Sequence, residues 1–278
     1  MRFGGPVMEK WLSPEDWAGK VRRLGYSAAY CPAGVDDPDE LVAAYAAAAA
    51  EAGIVIAEVG AWSNPLSRDD AVRAAAMDKC KRSLALADRI GARCCVNIAG
   101  SRGTAHHGPA RIDLTAETFD MIVACVREII DAVRPTRTYY ALETMPWLFP
   151  DSTDSYVRLI EAIDRERFAA HFDPVNLVCS PRAYFDNAGL IREFVAKLGP
   201  HIRSAHAKDT LIADRLTIHL DEVAPGKGEL DYHTFLTELD GLGPDACLMM
   251  EHLRTPEQYA EAAAYIRSVA DDAGVRLT

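Results

Sequence analysis

Four short apolar runs, each ending at a side chain that binds metals, constrain this chain more than any other feature. They read Tyr139-Tyr140-Ala141-Leu142-Glu143, Phe168-Ala169-Ala170-His171-Phe172-Asp173, Ile202-Arg203-Ser204-Ala205-His206 and Cys247-Leu248-Met249-Met250-Glu251. Their polar ends are separated by 30, 33 and 45 residues, enough each time for a loop, a helix and a second loop. Parallel strands joined by helices send their carboxyl ends to the same side of a sheet. If that sheet closes into a barrel, the four tips meet at one mouth.

The rest of the chain repeats the alternation. Arg2 to Gly5, Ser27 to Cys31, Ile54 to Val59 and Cys94 to Ile98 read as four earlier strands. The run Ile54-Val55-Ile56-Ala57-Glu58-Val59 is apolar enough to be buried on both faces. Between the strands lie amphipathic segments. Ser13-Pro14-Glu15-Asp16 opens a helix with a capping serine and a proline at the first helical position. Asp39 to Ala52 is an alanine-rich helix stopped by Gly53, and another runs from about Arg68 to Ile90 before Gly91. Over Glu117 to Val133 the apolar residues keep the helical period, and Thr255-Pro256-Glu257 opens the last helix.

Eight strands and eight helical segments predict an α/β fold, a single (β/α)8 TIM barrel with residues 1–278 forming one domain. A doubly wound open sheet is the competing arrangement. It loses ground because no G-x-G-x-x-G follows the first strand and no phosphate-loop motif occurs.

Composition narrows the partners. A net charge of −11 opposes binding to nucleic acid or an anionic membrane, both of which need a concentrated basic surface. The seven cysteines lack C-x-x-C spacing and fall mostly in apolar patterns, so they read as reduced core residues of a cytoplasmic protein. No run reaches membrane-spanning length, and the N-terminus lacks a signal peptide's apolar stretch. A small-molecule substrate is expected, and apolar loop residues can support a homo-oligomer.

Glu143, Asp173, His206 and Glu251 supply three carboxylates and one imidazole. This mostly hard set suits one divalent metal ion, Mn²⁺ or Mg²⁺ first, and also admits Co²⁺ or Zn²⁺. The chemistry it suggests is proton transfer beside a carbonyl. A metal bridging adjacent carbonyl and hydroxyl oxygens stabilises the ene-diolate formed when the C–H between them is deprotonated.

In A-L-E-T, H-F-D-P-V-N, S-A-H-A-K-D and M-M-E-H-L these residues resemble the metal-site motifs of the xylose-isomerase-like barrel superfamily. The set is more similar to its sugar phosphate isomerase/epimerase branch, which includes ketose 3-epimerases, and the similarity runs from about Ile54 to Ile266. The resemblance implies that Glu143 and Glu251 are both metal ligands and the catalytic acid/base pair. The chain departs from epimerases of this kind at Asn176, where they tend to carry histidine, and at Ile212, where they tend to carry arginine. The related AP-endonuclease branch uses three zinc ions and extra histidines, several of which are absent here.

Other residues have two readings. Asn176, Trp62, Trp147, Lys208 and Arg182 are candidate substrate contacts. Asn176 has an amide for a sugar hydroxyl, and the two tryptophans can pack on a sugar ring or fill the core. Lys208 and Asp209 form a surface ion pair or reach the site, and Arg182 is a clamp or a surface residue. The loop Ala99 to Pro109, with His106 and His107, is a lid or a solvated connection. Gly226-Lys227-Gly228-Glu229-Leu230-Asp231 is a phosphate loop or a tight turn. His171 and His252 read as supporting or core residues. The function expected is a metal-dependent isomerase or epimerase of a sugar or keto-sugar in carbohydrate metabolism. The alternatives are a metal-dependent lyase or dehydratase acting on a 3-keto-sugar or glycoside, and a non-catalytic sugar-binding or partner subunit.

Overall fold

A computed structural model describes residues 1–278. The strands are β1 (Arg2–Gly4), β2 (Ala28–Tyr30), β3 (Val55–Gly60), β4 (Cys94–Asn97), β5 (Tyr140–Glu143), β6 (Phe168–Phe172), β7 (Ile202–Ala207), β8 (Asp209–Ile212), β9 (Leu220–Val223) and β10 (Cys247–Met250). Eight of them close a barrel in the ring order β1, β10, β7, β6, β5, β4, β3, β2. Every pairing in the ring is parallel, as the βα alternation requires. The weak first strand is what closes the ring, pairing with β10 on one side and β2 on the other.

The helices are α1 (Pro14–Arg23), α2 (Asp39–Glu51), α3 (Asp70–Ile90), α4 (Ala116–Val133), α5 (Thr153–Ile163), α6 (Pro181–Phe185), α7 (Asn187–Leu198), α8 (Tyr232–Asp240) and α9 (Pro256–Asp272). Their boundaries follow local chemistry. Ser13 accepts from the Asp16 N–H at the start of α1, and Thr255 accepts from the Gln258 N–H at the start of α9. Helix α4 buries Phe119, Ile122, Val126, Ile129 and Ile130 on one face. These side chains join strand residues in a single cluster of 59 buried apolar residues, so strands and helices share one core.

The expected count of eight strands and eight helices needs correction. Strands β8 and β9 form an antiparallel hairpin outside the barrel, inserted between β7 and α8. The hairpin is four residues a side and half solvated. It lacks the apolar runs by which the barrel strands announce themselves. The additional helix, α6, has five residues, too few to establish a helical period.

All seven cysteines are unpaired. No helix is long and apolar enough to cross a membrane. The segment from Ala99 to Pro109 contains no helix or strand, and its His106 and His107 are exposed. Its far end is tethered where Trp147 Nε1 donates to the His107 carbonyl at 2.6 Å.

Candidate metal centre

Strands β5, β6, β7 and β10 are consecutive neighbours in the ring, so their carboxyl ends lie side by side. Glu143 ends β5, Asp173 follows β6, His206 lies near the end of β7 and Glu251 follows β10. The structure brings all four together, with one ligand atom from each within 4.8 Å of every other. His206 Nδ1 lies 2.9 Å from Glu251 Oε1, 3.0 Å from Glu143 Oε1 and 3.9 Å from Asp173 Oδ2.

Local bonds hold the carboxylates in place. Thr144 and Asp173 are locked reciprocally: the Thr144 hydroxyl donates to the Asp173 carbonyl at 2.8 Å and accepts from the Asp173 N–H at 3.1 Å. Asp173 Oδ1 also accepts from the Val175 N–H at 3.0 Å, closing the turn at Pro174. The Asn176 amide donates to Asp173 Oδ2 at 3.1 Å and to the Thr144 carbonyl at 3.0 Å. Its donors are thus engaged on a candidate ligand and on backbone.

Lys208 is the cation of the site. It lies two residues beyond His206, so the alternation of an extended chain turns both side chains inward. Its Nζ lies 2.6 Å from Glu251 Oε1, 2.8 Å from Asp173 Oδ2, 3.6 Å from Glu222 Oε2 and 3.8 Å from Glu143 Oε1. Glu222 comes from the hairpin and also meets His252 Nδ1 at 2.9 Å. His252 itself has φ of 60°, an uncommon left-handed conformation for a residue with a Cβ.

The charges set each other. Burial pushes the Asp173 carboxyl up and prevails over the Lys208 charge, raising it to about 6. For Glu143, burial is outweighed by the hydrogen bond and charge of His206 and by Lys208, and its carboxyl is held below the ordinary range. Glu251 is lowered in the same way, burial giving way to His206 and Lys208. Burial opposes the charge on His206, but Glu251 and Glu58 raise the imidazole well above its usual value.

The donor set fits a divalent cation. Three carboxylates and an imidazole converge with their ligand atoms within 4.8 Å of one another, a hard donor set of the kind that holds divalent ions.

The remaining sequence candidates divide. The Trp62 ring stands 6.4 Å from the His206 ring and is 40% exposed, so it walls the mouth. Trp147 is partly exposed and engaged by the Ala99–Pro109 segment. Arg182 lies on α6 and lines a surface depression with Asp151, Ser152, Asp154, Asp186 and Glu193, a depression that none of the four candidate ligands lines.

The glycine-rich loop is a turn wrapped around Asp209. That carboxylate accepts from the backbone N–H groups of Thr210, Gly226, Gly228 and Leu230 at 2.8 to 3.1 Å. Amides that would cradle a phosphate are therefore already satisfied by the protein's own carboxylate. Gly228 is required because a Cβ there would collide with the Thr210 carbonyl.

Sequence reasoning missed Glu58. It projects from β3 into the barrel and meets His171 Nε2 at 3.0 Å and His206 Nε2 at 3.3 Å, and the Ser204 hydroxyl donates to it. The two imidazole rings are 4.1 Å apart, centre to centre. The signal was a lone acid in a strand already read as buried on both faces, since such a group needs a partner. His171 lies two positions before Asp173 and faces inward one layer deeper, where its Nε2 meets Glu58.

The fold is shared with known proteins. A family profile described as xylose isomerase-like TIM barrel matches residues 19–269. A search of curated proteins finds no match. Among solved structures, D-psicose 3-epimerase from Clostridium cellulolyticum, crystallised with D-tagatose, superimposes with a TM-score of 0.70 at 14% identity, covering 99% of this chain and 100% of that one. A probable 3-DHS dehydratase from Bacillus anthracis gives 0.71 at 15% identity, covering 97% and 99%. Endonuclease IV from Thermus thermophilus gives 0.73 at 13% identity, covering 98% and 100%. At such identities the structural likeness speaks for the fold, and together with the profile match over most of the sequence it leads to one conclusion: this chain belongs to the xylose isomerase-like TIM barrel family.

Proposed function

We propose that this protein is a divalent-metal-dependent isomerase or epimerase of a sugar or keto-sugar, built on one barrel domain, with Glu143 and Glu251 as its acid/base pair. The observation that carries the reading is the order of the four tips. Asp173 and His206 lie between, while the two glutamates stand at the outer positions of the row β5, β6, β7, β10. Two carboxylates flanking one carbon can serve its two faces.

A divalent ion held by Glu143, Asp173, His206 and Glu251 supplies positive charge to neighbouring substrate oxygens. Mn²⁺ or Mg²⁺ suits the donor set best. One glutamate takes the proton from the carbon next to the substrate carbonyl, leaving an ene-diolate. The other returns a proton to the opposite face, which inverts that carbon, or to the neighbouring carbon, which moves the carbonyl. Lys208 presents an ammonium to the developing oxyanion, and Trp62 offers a flat apolar wall to the sugar ring. Trp147 borders the tethered loop at the same mouth.

A second reading is favoured by Asn176. Its amide N–H groups are spent on Asp173 and Thr144, which leaves only its Oδ1, an acceptor, for a substrate hydroxyl. A lyase or dehydratase acting on a 3-keto-sugar or glycoside uses the same proton abstraction and then expels a leaving group. A nuclease reading has less support, because the four-residue donor set lacks additional histidines and the net charge is −11.

The test is incubation of the Mn²⁺-loaded protein with ketoses and 3-keto-glycosides in deuterated water, followed by mass analysis. Deuterium gain without other change of mass supports the isomerase or epimerase. Loss of water or aglycone supports the lyase, and no exchange with any substrate supports a non-catalytic binder.

A further inference from the structure

We propose that Glu58 is a positioning residue for this centre: it fixes the tautomer and orientation of His206 so that Nδ1 faces Glu143 and Glu251. The inference rests on the reading of the four mouth residues as metal ligands.

A neutral imidazole has one N–H and one lone pair on its ring nitrogens. For Nδ1 to act as a ligand, the proton must sit on Nε2, and in a buried site that N–H needs an acceptor. Glu58 Oε2, 3.3 Å away, provides it. The two residues reach each other across the barrel, since β3 and β7 stand opposite in the ring. Glu58 is only 1% exposed, and no lysine or arginine neutralises it.

The carboxylate is itself pinned. Its Oε1 faces His171 Nε2 at 3.0 Å and accepts from the Ser204 hydroxyl. The register of β6 on β7 shifts between Ala170 and His171, which brings His171 opposite Ser204 and puts both at the level of Glu58. Glu58, His171 and Ser204 therefore form a polar layer beneath the mouth whose upper contact is His206. An apolar side chain would fill that space without the several kcal/mol that burying an ion costs. What it would not do is accept the His206 proton.

The experiment measures Mn²⁺ dissociation constants by electron paramagnetic resonance for the wild type, Glu58→Gln and Glu58→Ala. Circular dichroism and thermal melting establish that each variant is folded. The alanine variant should bind Mn²⁺ about 10- to 100-fold more weakly. Glutamine, with one acceptor oxygen for two imidazoles, should fall between alanine and wild type. Unchanged affinity in folded variants overturns the proposal and leaves the metal reading standing. A wild type that binds no divalent ion overturns both.

If neither variant folds, ¹⁵N-histidine spectra of the Zn²⁺-loaded wild type decide. A slowly exchanging proton on His206 Nε2 supports the role of Glu58, and its absence overturns it.

Discussion

The Lys208 ammonium lies 2.8 Å from the Asp173 carboxylate, inside the ring of oxygens to which a divalent ion is assigned. A fixed cation there competes with a metal for the same charges. Two unit charges about 4 Å apart repel by about 4 kcal/mol at an effective dielectric near 20, and a divalent ion doubles that before the site relaxes. Replacing Lys208 with methionine should tighten Mn²⁺ binding about tenfold or more, while turnover falls for lack of the ammonium at the substrate oxygen. Weaker binding in a calorimetric titration would mean that Lys208 organises the carboxylates rather than opposing the ion.

Glu143→Gln and Glu251→Gln should each lower the rate of solvent deuterium exchange into substrate by about 10²- to 10⁴-fold, the usual contribution of a positioned acid or base. Both replacements keep the shape of the side chain but remove a charge shared with His206 and Lys208, so the melting temperature and Mn²⁺ content of each variant are measured beside its exchange rate. Full activity in either variant removes that residue from the proton-transfer pair.

Elemental analysis of the purified protein should find about one Mn, Mg, Co or Zn ion per chain, lost in His206→Ala. At a free ion concentration about 100 times the dissociation constant, the loaded wild type should gain about 2.7 kcal/mol in stability. Adding a chelator should lower its melting temperature accordingly and leave that of His206→Ala unmoved. A trinuclear zinc content would turn attention back to nuclease chemistry.

Asp209 satisfies four backbone donors, three from the Gly226–Leu230 loop and one from its neighbour Thr210 in β8. Asp209→Ala should cost about 2–4 kcal/mol, because each stranded donor costs about 1–3 kcal/mol and the exposed part of the loop can rehydrate. Denaturant titration reads the loss. Inorganic phosphate should not raise the melting temperature of the wild type, since the carboxylate already fills the place of an anion.

The Trp62 ring stands beside His206 at the mouth, and its proposed role is to pack on substrate. Trp62→Ala should raise KM about fivefold, matching about 1 kcal/mol of aromatic contact, with Mn²⁺ affinity unaltered. A change in metal affinity instead of KM would assign the ring to supporting His206.

The alternation of apolar runs and helical periods, and the acid or histidine at the end of each late strand, were legible along the chain because they are local. Ring closure is less so: β1 has three residues, one of them glycine, and only its neighbours on both sides reveal it as the closing strand. The four candidate ligands were legible as types because a polar group ending a buried strand is unusual wherever it occurs. Glu58 was not legible as a participant, and Lys208 was legible only as a choice between a surface ion pair and a substrate contact, for their meaning lies in what faces them. Glu58 needs β7 across the barrel, more than a hundred residues later in the chain, and Lys208 needs the tips of β6 and β10 and the hairpin residue Glu222. Asp209 shows the same division, since a glycine-rich loop looks open to an anion until the fold brings it a carboxylate of its own. Local pattern follows from chain stereochemistry and burial. The partners of a buried charge follow from which distant strands the closed sheet sets face to face.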